Sequence, residues 1–387
     1  MICPCSVSRI RWLRRLCSLV CAVVGCCSLP AARSQTVDVN RPLLNIDEDI
    51  SAFAFAPDGR IVFSIRRHFR TKQYDLERDD IWLQDTSGKR RRLLQGEKFL
   101  YGTQPFTYTI DSFRWSPNSR LILAQFFTTS VIDERGTTQD STMTLAMEDN
   151  GKEIRLAGND ALLKDAANAS WLQDSATIVY LSEAIKPKIL YSFKYENITA
   201  GPHGEVFEGR TFHNASYIPH TNLAIGVERD RNLDGPPRLQ RLELLAQDDR
   251  ELATLDTFEG GLTVSPSGKK VAYFIDKEVL EVRDLTDVNK IARLRVGFGP
   301  FLWAPDENRI LLKHAPEKKS GDLVWIDLPP LTTHPAQEKD VPVTQPTPIP
   351  ILHDLTFRDF AVSPDGRLLG VIAPGKRNLL VFPLPQR

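Results

Sequence analysis

The sequence predicts an all-β fold, and three observations support this prediction. A short phrase, in which apolar runs stand on both sides of a tight turn, recurs seven times along the chain. A third strand-like run follows every copy of the phrase. Bulky and small residues alternate in the first run of most copies, as expected for strands whose successive side chains point to opposite faces.

The clearest copies of the phrase are "FAFAPDGRIVFSI" (53–65) and "FAVSPDGRLLGVIA" (360–373). In the second copy, Ser363 suits the first position of a tight turn and Pro364 presets φ at the next. Asp365 tolerates the third position, and Gly366 takes the positive φ that ends the turn. Apolar β-rich runs around such a turn predict a β-hairpin.

The proline of this turn defines an anchor position with seven occurrences, two of them in degenerate copies. The anchors are Pro57, Pro117, Gln173, Pro219, Pro266, Pro305 and Pro364. Third strand-like runs follow at 80–85, 141–147, 188–195, 239–246, 279–285, 322–328 and 378–384. Each unit therefore has three strands with room for a fourth, and its spacing suits the blades of a propeller, which have about 40–50 residues. The sequence predicts a seven-bladed β-propeller of four-stranded antiparallel blades.

The last copy ends after its third strand, and the segment 36–46 precedes the first copy. We expect this N-terminal strand to complete the last blade, which would close the ring and remove exposed strand edges. Residues 35–387 are therefore predicted to form one propeller domain. The stretch 329–350 holds seven prolines and is predicted to be an extended connection between the sixth and seventh blades.

The alternation in the first runs fits wedge-shaped packing between blades. Two and four residues before each anchor the residues are mostly bulky, as in Phe53 and Phe55. Three residues before the anchors stand Ala54, Arg114, Ser170, Ser216, Thr263, Leu302 and Ala361. This second face is mostly small, as expected where inner strands converge on an axis.

These repeats resemble the SPDG-type repeats of TolB-like propellers, which are related to WD-repeats. Similar repeats occur in the propellers of the dipeptidyl-peptidase and prolyl-oligopeptidase families. The resemblance covers nearly the whole chain after residue 35 and implies a fold, but propellers host many activities. Because no G-x-S-x-G motif is present and only three residues follow 378–384, we do not expect the hydrolase domain that those peptidases carry.

Residues 1–34 are predicted to be a signal peptide, because a basic segment precedes an apolar run too short to span a membrane comfortably. The alternative is a lipoprotein signal ending before Cys26, since "VVGC" (23–26) resembles a lipobox. Either form predicts export to the periplasm, the cell surface or the medium of a bacterium, with membrane contact only through a lipid anchor. All six cysteines lie at or before residue 27, so no disulfide framework is expected in 35–387.

Residues 35–387 carry 44 basic and 49 acidic side chains, because residues 1–34 hold five arginines and no acid. This balance argues against a nucleic-acid partner. Motifs for nucleophilic catalysis, zinc binding, a P-loop or a dinucleotide are absent from the sequence, so no catalytic residue is predicted. A monomer is expected, with no cofactor other than the calcium considered next.

Four polar residues stand at the starts of the first strands, near the predicted mouth of an axial channel: Asp111, Asn168, Asn214 and Asp359. Carboxylate and amide oxygens converging there could hold a hard cation such as Ca²⁺. Propeller lactonases and gluconolactonases use a comparable arrangement, which makes a calcium-dependent hydrolase or lactonase the alternative function. Small polar residues line any solvated channel, and this is the preferred interpretation of the pattern.

A second calcium hypothesis concerns "DRNLDG" (230–235), in which Asp230, Asn232 and Asp234 spell the first half of a calcium loop. Arg241 stands where such a loop needs glutamate, so a polar hairpin loop is the preferred interpretation.

Two long loops or extended hairpins, at 65–80 and 128–141, are predicted to project from one face. Basic residues of the first, which could contact an acidic or phosphate-bearing partner, are Arg66, Arg67, His68 and Arg70. Asp75, Glu77, Asp79 and Asp80 follow, so a self-neutralising hairpin is an equal alternative. The sequence thus predicts an exported, non-catalytic propeller that binds a protein or a glycan through such rim loops.

Overall fold

The computed structural model describes most of the chain after residue 36, and Thr36–Arg387 form one compact unit. The described residues are 37, 41–70, 75–98, 106–131, 138–154, 162–164, 166–185, 190–199, 201, 203–314, 322–334, 341–352, 359–373 and 376–384. The predicted leader, including Cys26, lies outside them, so the export and lipidation predictions stay predictions.

The described part of the chain is all-β, as predicted, with 30 strands, one short 3-10 turn at Gly96–Lys98 and no α-helix. None of its helical segments is long and apolar enough to cross a membrane. The strands form antiparallel four-stranded units, one for each copy of the phrase, which we number repeat 1 to repeat 7.

Repeats 1 to 4 take their strands in chain order. Repeat 1 comprises β2 (Ile50–Phe55), β3 (Ile61–Arg70), β4 (Asp75–Gln84) and β5 (Arg90–Leu94). Repeat 2 comprises β6 (Phe106–Trp115), β7 (Leu121–Val131), β8 (Thr138–Glu148) and β9 (Leu162–Lys164). Repeat 3 comprises β10 (Ala166–Trp171), β11 (Thr177–Ile185), β12 (Leu190–Asn197) and β13 (His203–Val206). Repeat 4 comprises β14 (Phe212–Tyr217), β15 (Leu223–Glu228), β16 (Arg238–Glu243) and β17 (Asp248–Thr254), and a single bridge from β12 to β14 joins repeats 3 and 4.

Repeats 5 to 7 include the two departures from chain order. Repeat 5 comprises β18 (Gly260–Val264), β19 (Lys270–Phe274), β20 (Val279–Asp284) and β21 (Lys290–Arg295), with the short strands β25 (Thr332–Thr333) and β26 (Val343–Thr344) added to β21. Repeat 6 comprises β22 (Phe301–Trp303), β23 (Arg309–His314), β24 (Asp322–Asp327) and β27 (Ile349–Leu352). Repeat 7 comprises β28 (Phe360–Val362), β29 (Leu368–Ile372), β30 (Leu379–Pro383) and the N-terminal strand β1 (Leu44–Ile46).

The N-terminal strand completes the last sheet, as the sequence predicts. β1 pairs antiparallel with β30, and Asn45 lies directly opposite Leu380. Strands more than 330 residues apart in sequence therefore share one sheet. As a result, β30 has a partner on both of its sides.

The anchor turns have the backbone conformation that their sequence predicts. Gly366 has a φ of 71°, and the residue two places after the anchor has a positive φ in six repeats. These residues are Gly59, Ser119, Ser175, Gly268, Glu307 and Gly366. In three repeats the serine before the anchor accepts the backbone N–H five residues later, as Ser363 Oγ does from Leu368 at 2.9 Å. This bond explains why serine suits the position.

Seven buried apolar clusters hold the repeats together. Each cluster contains side chains from two repeats. Six of them join consecutive repeats: 1 with 2, 2 with 3, 3 with 4, 4 with 5, 5 with 6, and 6 with 7. The seventh contains Ile46 and Leu379 from repeat 7 with Phe53 and Phe63 from repeat 1. The core is therefore not central but is distributed between neighbouring sheets.

The anchor turns of successive repeats contact one another at one end of the sheets, which we call the turn face. The bonds between turns are Arg60 Nη2 to Ser119 O (2.5 Å), Asn118 N to Ser175 Oγ (3.3 Å), Gln173 N to Asn222 Oδ1 (3.1 Å) and Ser267 Oγ to Glu307 Oε2 (2.8 Å). The opposite end, where the first strands begin and where β3 leads to β4 and β7 to β8, we call the hairpin face.

Candidate functional site

A cavity of about 970 Å³ is lined by the first strands of all seven repeats. The residues three places before the anchors all contribute to its wall, so the mostly small face lines open space. Bulky residues at the alternate positions, such as Phe301 and Trp303, are buried in the clusters between repeats, and some of the others, including Phe53 and Phe113, also border the cavity. The alternation seen in the sequence thus places the mostly small residues on the cavity wall and buries most of the bulky residues between repeats.

The structure brings three of the four predicted channel residues to this cavity. Asn168, Asn214 and Asp359 line it, whereas Asp111 lines a smaller adjoining cavity. In repeats 1 to 5, the register between the first and second strands shifts within the first strand, as between Phe212 and Asn214. Such bulges redirect side chains, which explains how polar groups come to border the cavity.

These three residues have hydrogen bonds that stabilise the backbone. Asn168, which has a φ of 48°, donates its side-chain amide to Ala215 O at 2.7 Å. Asn214 Oδ1 accepts the N–H of Ala215, and Asp359 Oδ1 accepts that of Phe360, each at 2.8 Å. Each group therefore has a structural role besides any contact with a ligand.

Among the residues that the structure describes, no group of three or more His, Cys, Asp or Glu side chains could hold a metal ion. Asp230 lies in the loop between β15 and β16 and accepts a bond from Arg238 at 3.1 Å. Asn232 and Asp234 in the same loop are exposed. Both calcium hypotheses stay predictions.

Arg114 is the cavity residue that sequence reasoning did not select. Its side chain is exposed to the cavity, and its one hydrogen bond among described residues runs from Nη1 to Phe113 O at 3.4 Å. Enclosure by protein lowers the pKa of Arg114, while Asp359 and Asp111 act to raise it. Because solvent reaches the guanidinium, we expect it to stay protonated. The sequence did contain a signal for Arg114, because it is the one charged residue among the seven mostly small residues that stand three places before the anchors.

Burial keeps two of the other titratable groups of the cavity wall, Tyr217 and His213, neutral. The hydroxyl of Tyr217 is buried and has no hydrogen-bond partner among the described residues, and its burial raises the pKa of Tyr217. Burial and the charge of Arg229 lower the pKa of His213. The cavity wall therefore carries the charges of Arg114 and Asp359 amid hydroxyl, amide and aromatic groups.

The segment 65–80 is an extended hairpin, in which β3 and β4 pair as far as Arg70 and Asp75. Its basic side chains face carboxylates. The ion pairs are Arg66 with Glu77 (3.4 Å) and Asp79 (3.5 Å), Arg67 with Glu48 (3.4 Å) and Asp80 (3.6 Å), and Arg70 with Asp75 (3.6 Å). His68 Nδ1 lies 3.5 Å from Glu77 Oε1. The hairpin thus has the self-neutralising arrangement, and its predicted contact with an acidic partner stays a prediction.

A second cavity, of about 410 Å³, lies between repeat 2 and Arg66 and is named here the Phe127 pocket. Its lining is Arg66, Thr109, Asp111, Gln125, Phe126, Phe127 and Thr142. Phe127 lies directly opposite Thr109 on β6 and Thr142 on β8, so the three side chains form one row across the sheet. Sequence reasoning missed this row, because register between strands decides it.

Comparison of the chain with protein-family models and with curated proteins gives no match. The function proposed below therefore rests on the geometry of the described residues.

Proposed function

We propose that the chain is an exported, seven-bladed β-propeller that binds a protein or a glycan on its hairpin face without catalysing a reaction. Three features support the ring. The apolar clusters follow a cyclic order from repeat 1 to repeat 7 and back to repeat 1. β1 supplies the fourth strand of repeat 7, and one cavity borders all seven first strands. The resemblance to TolB-like repeats points to the same arrangement.

The observation that carries the binding proposal is the unequal height of the sheets at the hairpin face. β3, β4 and β6 have 10 residues and β7 and β8 have 11, whereas β18 to β21 have five or six. The extra residues extend away from the anchor turns, so repeats 1 and 2 rise about 15 Å beyond repeat 5. They form a wall on one side of the cavity mouth.

A wall of paired strands presents side chains on a rigid support, which is how binding surfaces on stable scaffolds work. The wall is itself well packed: Tyr108 donates to Asp79 O at 2.7 Å, and Ile110 N donates to Asp79 Oδ2 at 2.7 Å. These bonds join β4 of repeat 1 to β6 of repeat 2. Such bonding at the base of the wall favours a fixed surface over a mobile loop.

Photo-crosslinking in cells that produce the protein tests this proposal. Benzoylphenylalanine is placed at Thr138, exposed on β8 of the wall, and in a matched variant at Ser87, exposed in the β4–β5 turn on the turn face. We expect adducts from position 138 that are absent or far weaker at position 87. A discrete heavier band indicates a protein partner and a smear indicates a glycan. Equal adducts at both positions, or none at 138, would contradict the proposal.

A further inference from the structure

We propose that the Phe127 pocket is a binding site for a neutral saccharide. This inference rests on the proposed function, because the pocket lies on the wall at the hairpin face. It goes further by assigning the ligand class and the residues that would recognise it. Three properties of the pocket carry it: an exposed aromatic ring on a rigid strand, unused hydrogen-bonding groups beside that ring, and the absence of an unpaired cation among the lining residues that the structure describes.

The ring of Phe127 is exposed to solvent and is not packed in the core. Phe127 is 50% exposed, whereas Phe126, the next residue on β7, is 1% exposed and belongs to the cluster between repeats 1 and 2. The strand therefore has one face in the core and one that presents Phe127 between two threonines. The face of an aromatic ring carries partial negative charge, which suits the C–H groups on the apolar face of a pyranose ring.

The hydrogen-bonding groups are held in place beside the ring. Gln125 Oε1 accepts the backbone N–H of Asn168 at 3.1 Å, and Gln125 Nε2 donates to Asp111 Oδ2 at 3.3 Å. Asp111 is exposed, and its Oδ1 has no hydrogen-bond partner in the described structure. The hydroxyl of Thr142 has none there either. A carboxylate oxygen and a hydroxyl near one ring can bond the hydroxyl groups of a sugar.

The charges of the pocket favour a neutral saccharide over an acidic one. The guanidinium of Arg66 is engaged by Asp79 and Glu77 and donates to Thr109 Oγ1 at 2.9 Å. The remaining lining charge is the carboxylate of Asp111, which would repel a uronate or phosphate. A volume of about 410 Å³ lies within the range of small-ligand sites, about 300–1,000 Å³, and suits one or two sugar rings.

The test titrates the purified protein with N,N′-diacetylchitobiose, maltotriose, cellotriose and trigalacturonate, using saturation-transfer NMR and calorimetry, after a screen on a printed array of neutral and acidic glycans. We expect at least one neutral saccharide to bind and trigalacturonate to bind more weakly. Phe127→Ala should weaken binding at least tenfold, and Asp111→Asn about tenfold. Phe298→Ala, which removes another exposed ring (55% exposed) on the hairpin face, is the matched control and should bind as the unmodified protein does.

The possible failures are distinguishable. If no neutral glycan binds while position 138 still crosslinks to a protein, the saccharide site is wrong and the proposed binding function stands. If neither assay gives a signal, both are wrong. Binding that Phe127→Ala leaves unchanged, in a variant whose melting temperature matches that of Phe298→Ala, places the saccharide elsewhere and overturns the inference.

Discussion

Glu281, on β20 of repeat 5, shows at the scale of single residues how burial determines what a charge contributes. Its side chain is 1% exposed and lies between Arg283 Nη2 at 2.7 Å and Arg293 Nη2 at 2.8 Å. The hydroxyl of Tyr273 donates to the same carboxylate. Removing one member of such a network leaves the other charges buried without compensation.

We therefore predict that Glu281→Ala lowers the free energy of unfolding by about 3–5 kcal/mol. Glu278→Ala is the matched control in the same repeat, because Glu278 pairs with Arg295 while both side chains are more than half exposed. It should cost less than about 1 kcal/mol. Urea unfolding of the two variants gives the comparison, and similar losses would mean that burial does not set the difference.

Asp79 gives a prediction on pH. Its side chain is fully buried, and this burial raises its pKa above the ordinary value of 3.8, although Ile110 N, Ser51 and Arg66 act in the opposite direction. The folded state therefore binds the Asp79 proton more tightly than the unfolded state. The stability that results is complete below pH 3.8 and is lost as the pH rises through the folded-state pKa.

The asparagine of the Asp79→Asn variant does not ionise, so this variant lacks the pH-dependent contribution of Asp79. We predict that the unfolding free energy of the unmodified protein, minus that of Asp79→Asn, decreases as the pH is raised from about 3.5 to 7. Urea unfolding at four pH values within this range measures the difference. The contributions of the other titratable groups are the same in both proteins and cancel. A difference that increases with pH would show that Arg66 dominates and keeps the pKa low.

At the scale of elements, the sequence was most informative about turns, because turn geometry depends on three or four adjacent residues. Gly366 has the positive φ expected from "SPDG", and the same position has a positive φ even where serine or glutamate stands there. The register between paired strands was much harder to predict from the sequence. The bulges near Asn168 and Asn214, and the row that contains Phe127, depend on pairing between separate strands.

The proline-rich stretch shows a second limit of sequence reasoning. It contains β25 and β26, which extend repeat 5, and it ends in β27, the fourth strand of repeat 6. Pro350 lies within β27, and proline is accepted in strands at the edge of a sheet. The sequence predicted a connection here because proline usually argues against a strand. The structure has a strand because an outermost strand needs hydrogen bonds on one side only.

A glycine substitution tests the packing of one turn against the next. Gly366 has a φ of 71°, and a Cβ there would lie 2.4 Å from Pro305 Cγ of the preceding anchor turn. Gly88 also has a positive φ (86°), but a Cβ there would meet nothing within 4 Å. Both alanine variants strain the backbone, at a cost of about 1–2 kcal/mol, whereas Gly366→Ala alone also collides with a neighbour.

We predict that Gly366→Ala destabilises the protein by about 1–3 kcal/mol more than Gly88→Ala does, since overpacking adds to the backbone strain. Melting curves with urea titrations of both variants measure this difference. Equal losses would show that the turns of repeats 6 and 7 are not in contact in solution.

At the scale of the whole compact unit, the pairing of β1 with β30 decides whether the sheets form a closed ring. This pairing leaves no free edge on β30, and it places Ile46 in the cluster between repeats 7 and 1. An open arrangement would expose that edge to pairing with other chains. The proposed closure would thus link the two ends of the unit and bear on solubility as well as stability.

A disulfide across this pair tests closure directly. Asn45 and Leu380 lie opposite each other, and opposed residues of antiparallel strands have Cβ atoms about 4.5–5.5 Å apart, near the range that a disulfide accepts after a small adjustment. Residues 35–387 contain no cysteine, so no other thiol of this segment competes. We predict that Asn45→Cys combined with Leu380→Cys oxidises readily and migrates faster on a non-reducing gel.

The same bond should raise stability by up to about 5 kcal/mol, because it closes a very long loop in the unfolded state. Each single cysteine variant is the control and should show neither the gel shift nor the gain. Free thiols that persist in the double variant under mild oxidation would mean that β1 does not remain on β30. In that case the last repeat has three strands in solution, and the proposal of a closed ring fails.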